Sequence, residues 1–291
     1  MANLKEIRIR MVSVKSTRQV TSAMKMVSAA KLRRAQEAII SIRPYADKLH
    51  EILANLSESL DSVDDNPFSS AKDTGKVLLV AINSNRGLCG AFNTNINKQV
   101  VNLIETKFKS EYQNNKLDIL AIGKNAFDFF RKRNYSVTNH NEIYDNLNFE
   151  TVSPIAEEIM TDFVKGKYSN IVLIYNEFKN AATQIVKVEQ FLPVEEKKES
   201  AKQVNIDYIF EPTKQEIVKE LIPKSLKIQF YKSLLNSFAA EHGARMTSMH
   251  QATDNATELL KTLNLQYNKA RQTAITNEIL EIVSGAEALK G

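Results

Sequence analysis

Cysteine, histidine and long apolar runs are scarce in this chain, and each scarcity excludes a class of protein. Among 291 residues there is one cysteine, Cys89, so an internal disulfide framework is excluded and a reducing compartment is expected. The four histidines are scattered, without an HExxH motif or a cysteine pair, and predict no zinc site. The longest apolar run, at 77–82, is too short to span a membrane. The N-terminus has no apolar signal core, so we expect no secretory signal.

Proline and glycine are almost absent from residues 213–288, where only Pro223 and Gly243 occur before Gly285. Apolar residues recur there at three-and-four spacing, which predicts one apolar stripe along a helix. At about 1.5 Å per residue, this helix would be roughly 110 Å long. Such a helix needs a partner helix, a surrounding sleeve of other subunits, or both. The stripe consists of Ile228, Tyr231, Leu235, Phe238, Met249, Ala252, Ala256, Leu259 and Leu263.

The first sixty residues carry the same spacing from Leu4 to Leu60 and predict a second long helix. The middle of this seam is polar, which suggests that it faces something other than a single partner helix. The polar positions are Arg18, Thr21, Lys25 and Ser28. At Pro44 we expect a kink or break, with Arg43 near extended geometry. Residues 61–75 are rich in Asp, Asn, Ser, Pro and Gly and predict a loop.

The middle of the chain alternates strands with helices, which predicts an α/β unit with a largely parallel sheet. Strands are predicted at Lys76–Ile82, Leu117–Ile122, 135–138, 170–175, 184–191 (a candidate edge strand) and 207–210. Helices are predicted at 95–109, 125–133 and 152–165, and a solvated loop at 195–202.

The predicted fold class is α/β plus long helices. An antiparallel coiled coil of N- and C-terminal helices, 1–60 and 213–288, flanks an inserted Rossmann-like α/β domain at 76–210. The C-terminal helix exceeds the first by about fifteen residues, roughly 22 Å. This overhang, at 274–288, needs cover from outside the chain because it is apolar. Its large apolar residues are Ile275, Ile279, Leu280, Ile282 and Val283.

Residues 83–90 (NSNRGLCG) form a turn between a strand and a helix. Such a turn can hold phosphate on its backbone N–H groups, but this one matches neither standard nucleotide motif. A tight turn with structural glycines is the preferred interpretation. Cys89 has no histidine near it in sequence, so we predict no catalytic role for it.

Nine basic residues and one acid, Glu6, lie between residues 5 and 34. A solvated helix face, an acidic protein partner, nucleic acid and an anionic membrane surface all remain open as explanations. The composition imitates a transit peptide, but the heptad pattern continues to Leu60 and argues against one. No aromatic residue precedes Tyr45, so base stacking is not indicated.

Polar residues crowd the distal part of the last helix, beside the apolar overhang. They are Arg271, Gln272, Thr276 and Glu278. Exposed polar residues on a helix usually do little. Here a partner must lie close by, and hydrogen bonds from these side chains would register the helix against a surrounding loop.

Four long segments carry a resemblance to a known family. They are KEIRIRMVSVKSTRQVTSAMKMVSAAKLRRAQ at the start, RPYA at 43–46, NSNRGLCGAFN at 83–93, and residues 244–289. These segments resemble the gamma subunit of bacterial F-type, proton-translocating ATP synthases. The resemblance spans the chain and is strongest at both ends, whereas residues 107–205 match only loosely.

The resemblance implies a central-stalk rotor that is not itself an enzyme. Its paired helices would stand inside a ring of three alpha and three beta subunits, and its α/β domain on the membrane c-ring beside epsilon. Proton flow would turn the chain and drive ATP synthesis or hydrolysis at the beta-subunit sites, with regulation of the ATPase activity. We expect no catalytic residue, cofactor, metal, nucleic acid or membrane insertion. Absence of a transit peptide implies a peripheral protein on the cytoplasmic face of the bacterial plasma membrane.

The resemblance also implies particular contact residues. The predicted beta-subunit contacts are Arg271, Gln272, Thr276, Arg245 and Met24. The predicted contacts with the c-ring or epsilon are Tyr208, Phe210 and Glu211, in a segment where Ile206 replaces a frequent aromatic. With Cys89 alone, the cysteine-pair regulation of photosynthetic relatives is not expected.

Three hypotheses therefore remain. The chain is a rotary shaft, a basic coiled-coil protein that binds nucleic acid or anionic membrane, or a nucleotide-binding enzyme built on residues 76–210. The first predicts association with alpha and beta subunits, the second salt-dependent binding, and the third heat on titration with ATP.

Overall fold

A computed structural model describes residues 4–58, 67–69, 75–194 and 214–288. Its helices are α1 (Leu4–Glu58), α2 (Phe92–Thr106), α3 (Lys109–Gln113), α4 (Lys124–Arg131), α5 (Phe149–Val164) and α6 (Lys214–Ala288), with a short 3₁₀ helix at Asn141–Tyr144. Its strands are β1 (Lys76–Ile82), β2 (Leu117–Ile122), β3 (Val137–Asn139), β4 (Tyr168–Phe178) and β5 (Gln184–Leu192). The predicted fold class, long terminal helices flanking an α/β sheet domain, is confirmed.

The five strands form one sheet in the order β3-β2-β1-β4-β5. The first four strands in this order are parallel, as the sequence predicts for most of the sheet, and β5 pairs antiparallel with β4 at the edge. The central strands β1 and β2 are nearly continuous apolar runs because both faces of a parallel sheet are covered. β1 therefore lies at the centre, with β2 on one side and β4 on the other.

Both faces of the sheet bury apolar side chains, and α6 contributes to each. One cluster contains Val80, Ile122 and Leu173 from the strands, Ala156 and Phe163 from α5, and Phe230 and Leu234 from α6. The other contains Leu79 and Ile119 from the strands, Ile96 and Val100 from α2, Phe130 from α4, and Ala240 and Ala244 from α6. One long helix thus packs on both layers of the sheet domain.

Helix starts in the sheet domain differ from prediction by a few residues. α5 begins at Phe149 rather than 152 because Asn148 caps it: its side chain accepts from the Thr151 N–H at 2.8 Å. α2 begins at Phe92 rather than 95, and the short helix α3 was not predicted. The predicted loop at 195–202, the predicted strand at 207–210 and most of 61–75 lie outside the described residues.

Of the kink or break expected at Pro44, the break is wrong and the kink stays a prediction. α1 runs from Leu4 to Glu58 with both Arg43 and Pro44 helical. Proline removes only one N–H donor, and the hydrogen bonds of neighbouring turns remain. The seam residues on either side, Ile42, Ala46 and Leu49, are buried or half-buried, so packing holds the helix through the proline.

The chain divides into two compact units. One comprises Met1–Ser28 with Met246–Gly291, and the other Ala29–Arg245. Each long helix therefore contributes to both units. The division into segments 1–60, 76–210 and 213–288 stays a prediction. None of the described helices has the length and apolar character needed to cross a membrane.

In the first unit, α1 and α6 run antiparallel. The Thr253 hydroxyl donates to the Thr21 hydroxyl at 2.8 Å, and Lys25 Nζ lies 3.5 Å from His250 Nδ1. The polar seam therefore contacts α6 at these points, so the expectation that it faces something else is wrong there. Side-chain hydrogen bonds replace apolar contacts in these layers.

The apolar stripe of α6 also differs from the prediction, because Leu259 is exposed and Leu260 is half-buried.

Candidate functional site

The far end of α6 lies beyond the reach of α1. Leu4, where α1 begins, is seventeen residues before Thr21, and Ala270 is seventeen residues after Thr253. Given the antiparallel register, the described part of α1 ends opposite Ala270. Leu263 is the last fully buried residue of α6, and every residue from 275 to 288 is exposed. More than three helical turns of α6 thus have no partner among the described residues.

This uncovered end is apolar. Five large apolar side chains lie within nine residues, and their exposed fractions run from 47% at Ile275 to 70% at Ile282. Ile279, Leu280 and Val283 are the others. Monomeric proteins rarely expose so continuous an apolar surface, which marks it as an interaction site.

The predicted contact residues Arg271, Gln272 and Thr276 border this end, and all three are exposed. The Thr276 hydroxyl donates to the Gln272 carbonyl at 2.9 Å, so its hydrogen is used within α6 while its oxygen can still accept. The Arg271 guanidinium and the Gln272 carboxamide are exposed hydrogen-bonding groups, and their predicted contact with a beta subunit stays a prediction. These three residues lie within six consecutive positions of α6, about one and a half helical turns.

A second apolar stripe runs along the outside of α1. Ile9, Val12, Val20 and Val27 are each 58–62% exposed and recur at helical spacing. The nine basic residues between positions 5 and 34 are distributed around the same part of α1, and most are exposed. Met24, a predicted contact residue, is half-buried nearby. This face therefore offers both apolar surface and positive charge to a partner.

The structure gives Arg245, another predicted contact residue, an internal role. Its side chain is 7% exposed and forms a 2.6 Å ion pair with Glu241, one turn earlier on α6. Its remaining N–H groups donate to the carbonyl oxygens of Arg86, at 2.9 Å, and Gly87, at 3.3 Å. The predicted subunit contact of Arg245 stays a prediction. Sequence spacing could not reveal this pairing, because 159 positions separate Arg86 from Arg245.

Burial shifts the protonation of both groups beside Arg245. It raises the pKa of the Glu241 carboxyl, although the neighbouring Arg245 charge acts in the opposite direction. Burial and the Arg245 charge together lower the pKa of His242 to about 3, so this imidazole is neutral. Nη1 of Arg245 lies 3.4 Å from His242 Nδ1, while His242 Nε2 is buried and has no hydrogen-bond partner among the described residues. The cluster is thus a buried charge pair beside a neutral histidine.

The turn 83–90 lies where a sheet of this kind usually binds its ligand, at the carboxyl ends of strands where the strand order reverses. Here α6 fills that place. The Ser237 hydroxyl donates to the Ile82 carbonyl at 3.2 Å, and Arg245 takes the carbonyls of the turn. These turn groups are acceptors that are already bonded, whereas a phosphate needs donors. The geometry therefore favours the structural interpretation of the turn over a nucleotide site.

The glycine after β2 closes the same region. Gly123 has a φ of 115° and carries no side chain where a Cβ would meet the Asn83 carbonyl oxygen at 2.4 Å. Tyr144 donates its hydroxyl to that same oxygen at 2.7 Å. The turn after β1 and the turn after β2 therefore pack directly against each other.

Cys89 is buried in this turn, and its thiol is poorly suited to catalysis. Burial raises the pKa of the thiol, which keeps it protonated. The described residues contain no cluster of His, Cys, Asp and Glu that could hold a metal ion. The predicted foot residues Tyr208, Phe210 and Glu211 lie outside the described residues.

These features define a protein that acts through the surfaces of its long helices, since the ligand crevice of its sheet is filled by its own helix. The comparisons agree. The sequence profile described as ATP synthase matches residues 3–289. The ATP synthase gamma chain of Christiangramia forsetii is 57% identical over 291 residues, with both chains fully covered. The chain belongs to the ATP synthase gamma-chain family and is a central-stalk subunit of the synthase, not its catalytic subunit.

Two solved structures are similar in fold. A chain of the OSCP, F1 and c-ring assembly of Euglena gracilis mitochondrial ATP synthase has a TM-score of 0.65, covering 98% of this chain and 94% of that chain at 22% identity. That identity shows the fold alone. A chain from the central stalk and c-ring of Tetrahymena thermophila mitochondrial ATP synthase has a TM-score of 0.59 at 25% identity, covering 80% and 99%. Family membership favours the rotary-shaft hypothesis over the other two.

Proposed function

We propose that this chain is the rotor that couples proton flow through a c-ring to ATP synthesis and hydrolysis in a ring of three alpha and three beta subunits. The sheet domain would stand on the c-ring beside epsilon. The protein would be peripheral, on the cytoplasmic face of a bacterial plasma membrane. Turning of the helices would bias the nucleotide affinities of the beta subunits, which is coupling between sites through conformation.

The uncovered end of α6 is the observation that carries this proposal. A single amphipathic helix without a partner is marginal in water, and this one ends in an exposed apolar surface. A ring of subunits would cover all sides of that end, which a single partner helix would leave partly exposed. At about 100° per residue the five large apolar residues spread over nearly half of the helix circumference, which is wider than the seam that one partner helix covers and fits a sleeve better.

The polar residues below that end would set the position of α6 against the ring. We assign beta-subunit contacts to Arg271, Gln272 and Thr276, whose exposed groups supply both donors and an acceptor. Met24 belongs to the same set by resemblance. Arg245 would contribute through the shape of the turn that it holds, since its guanidinium is buried.

The foot of the rotor rests on resemblance alone. We assign contacts with the c-ring or epsilon to Tyr208, Phe210 and Glu211, which lie outside the described residues. The proposal for these three is supported by family membership and by the position of their segment directly before α6.

Co-expression with the alpha and beta subunits of the same organism tests the proposal. We expect a complex with one copy of this chain and six partner chains that hydrolyses ATP. The double substitution of Ile279→Ser and Ile282→Ser should lower assembly about tenfold or more, because the ring would lose two apolar side chains that it buries on assembly. Ile185→Ser is the matched control, since Ile185 is 46% exposed on β5. Normal assembly and coupling of the double variant would contradict the sleeve.

A further inference from the structure

Three donors meet at one carbonyl in the turn 83–90. The oxygen of Arg86 accepts from the Ser84 hydroxyl at 2.6 Å and from Arg245 Nη2 at 2.9 Å, and the Cys89 thiol lies 3.9 Å away. Arg245 also reaches the neighbouring Gly87 carbonyl from two of its nitrogens. The tip of the turn is therefore tied to α6 through a single side chain.

Arg245 is in turn held by Glu241. Both side chains are at most 8% exposed, and a buried guanidinium needs a carboxylate near it. Glu241 lies one helical turn before Arg245, so the pair is fixed by the geometry of α6 itself. Nη1 of the Arg245 guanidinium donates to the Glu241 carboxylate, while Nη2 and Nε donate to the carbonyl oxygens of the turn.

We propose that Glu241 and Arg245 form a clamp that fastens the turn 83–90 to α6, so that turn and helix move as one piece when the subunit rotates. Glu241 is the positioning residue, and Arg245 makes the contact. The clamp itself requires no partner subunit, because all of its groups belong to this chain. The movement as one piece rests on the proposed rotor function.

Leu88 shows what the clamp holds in place. It has a φ of 61°, a left-handed conformation that is costly for leucine, and its side chain is 63% exposed at the tip of the turn. An unclamped turn would relax from this conformation. The clamp therefore maintains a strained, exposed apolar tip in a fixed position relative to α6.

Cys89 reports on the clamp directly. Its thiol is 2% exposed, and Asn93 Nδ2 donates to it at 3.3 Å. It is the only cysteine in the chain, so a thiol reagent modifies one place. Modification requires opening of the turn, and its rate follows the population of the open form.

The first experiment measures the rate of Cys89 modification in the full-length chain. Glu241→Gln should raise the rate about 10- to 100-fold, the range expected for loss of one charged hydrogen bond. Glu220→Gln is the control, because Glu220 forms the same kind of pair with Lys224 on an exposed part of α6. Arg245→Lys keeps the charge but loses the fork, and should give an intermediate rate. The increase should persist at low urea, since local opening is insensitive to denaturant.

The second experiment uses the assembled synthase in inverted membrane vesicles. Glu241→Gln should lower the number of protons pumped per ATP hydrolysed, while Glu220→Gln leaves it unchanged. An unchanged thiol rate in Glu241→Gln would overturn the clamp. A raised rate with unchanged pumping would overturn movement as one piece. Failure of the wild-type chain to assemble would instead count against the proposed rotor function, and the thiol result would be unaffected.

Discussion

Thr253 on α6 donates a 2.8 Å hydrogen bond to the hydroxyl oxygen of Thr21 on α1. The Thr21 hydroxyl can in turn donate a hydrogen bond to the Arg18 carbonyl at 3.1 Å. Thr21 is 9% exposed, so this polar layer lies inside the helix pair. An apolar residue at each position would bury more apolar surface, and the pair therefore favours one register at some cost in stability.

The threonine pair predicts a non-additive double-mutant cycle. Thr21→Val or Thr253→Val alone should destabilise local structure by about 0.5–1 kcal/mol, because the hydrogen bond between the helices is lost, although the remaining hydroxyl can still donate within its own helix to the Arg18 or Met249 carbonyl. The double variant should cost no more than either single variant, since each single change already removes the one hydrogen bond that joins the two helices. Amide hydrogen exchange of α1 measures the opening free energy. Thr17→Val, an exposed threonine bonded to its own helix, is the control, and additive costs would contradict the pairing.

Removing Arg245 should destabilise the sheet domain strongly. Arg245→Ala leaves Glu241 buried without a counter-charge, for which we expect a loss of about 3–5 kcal/mol. Lys224→Ala breaks the exposed pair with Glu220 at the same spacing and should cost less than about 1 kcal/mol. Urea unfolding followed by circular dichroism compares the two. Equal small losses would show that the buried pair is not needed.

His242 makes the domain sensitive to acid. The folded chain holds this pKa at about 3, against 6.5 for an ordinary histidine, so below about pH 6.5 the unfolded chain binds a proton that the folded chain does not. Stability therefore falls as pH drops from about 6.5 toward 3, by up to about 5 kcal/mol. The raised pKa of Glu241 acts in the opposite sense, since its contribution to stability is lost as pH rises.

His242→Gln should remove this acid sensitivity. The difference in unfolding free energy between wild type and variant should shrink or change sign as pH falls from 6.5 toward 3, because only the wild type carries the histidine penalty. Chemical denaturation at several pH values measures it. A parallel pH profile for the His242 variant would refute the assignment.

Two glycines of α6 predict opposite responses to alanine. At Gly243 a Cβ would meet the Phe178 ring at 3.1 Å and the Ala181 backbone at 3.3 Å, whereas at Gly285 nothing lies within 4 Å. Gly285→Ala should stabilise the helix end by up to about 1 kcal/mol through helix propensity. Gly243→Ala should lose about 1–2 kcal/mol, since overpacking exceeds that gain. Thermal unfolding and amide exchange distinguish them, and stabilisation by both would show that α6 moves aside freely.

Much of the fold follows from periodicity. The strands at Lys76–Ile82 and Leu117–Ile122 are predicted with their observed bounds, because a buried parallel strand is a short apolar run between turn residues. The seam of α1 is buried or half-buried at every described position of its three-and-four pattern through Leu49. Errors fell at helix starts such as Asn148, where one hydrogen bond sets the end of an element.

The candidate site likewise has features that the sequence predicts and features that it does not. The exposed apolar end of α6 is predictable, because helix length and composition show where one helix outlasts another. Arg245 on the turn, and the pairing of Thr21 with Thr253, are not, because hydrogen bonds between residues more than 150 positions apart leave no local pattern.

The sequence by itself determined two long helices, an inserted parallel sheet and an apolar end that needs cover, since these depend on spacing along the chain. Only the tertiary structure decided that α6 fills the ligand crevice and clamps its turn. Glu241 and Arg245 are buried in that crevice, so removing either one leaves a buried charge without its partner and costs much more stability than removing a charge from an exposed helix surface.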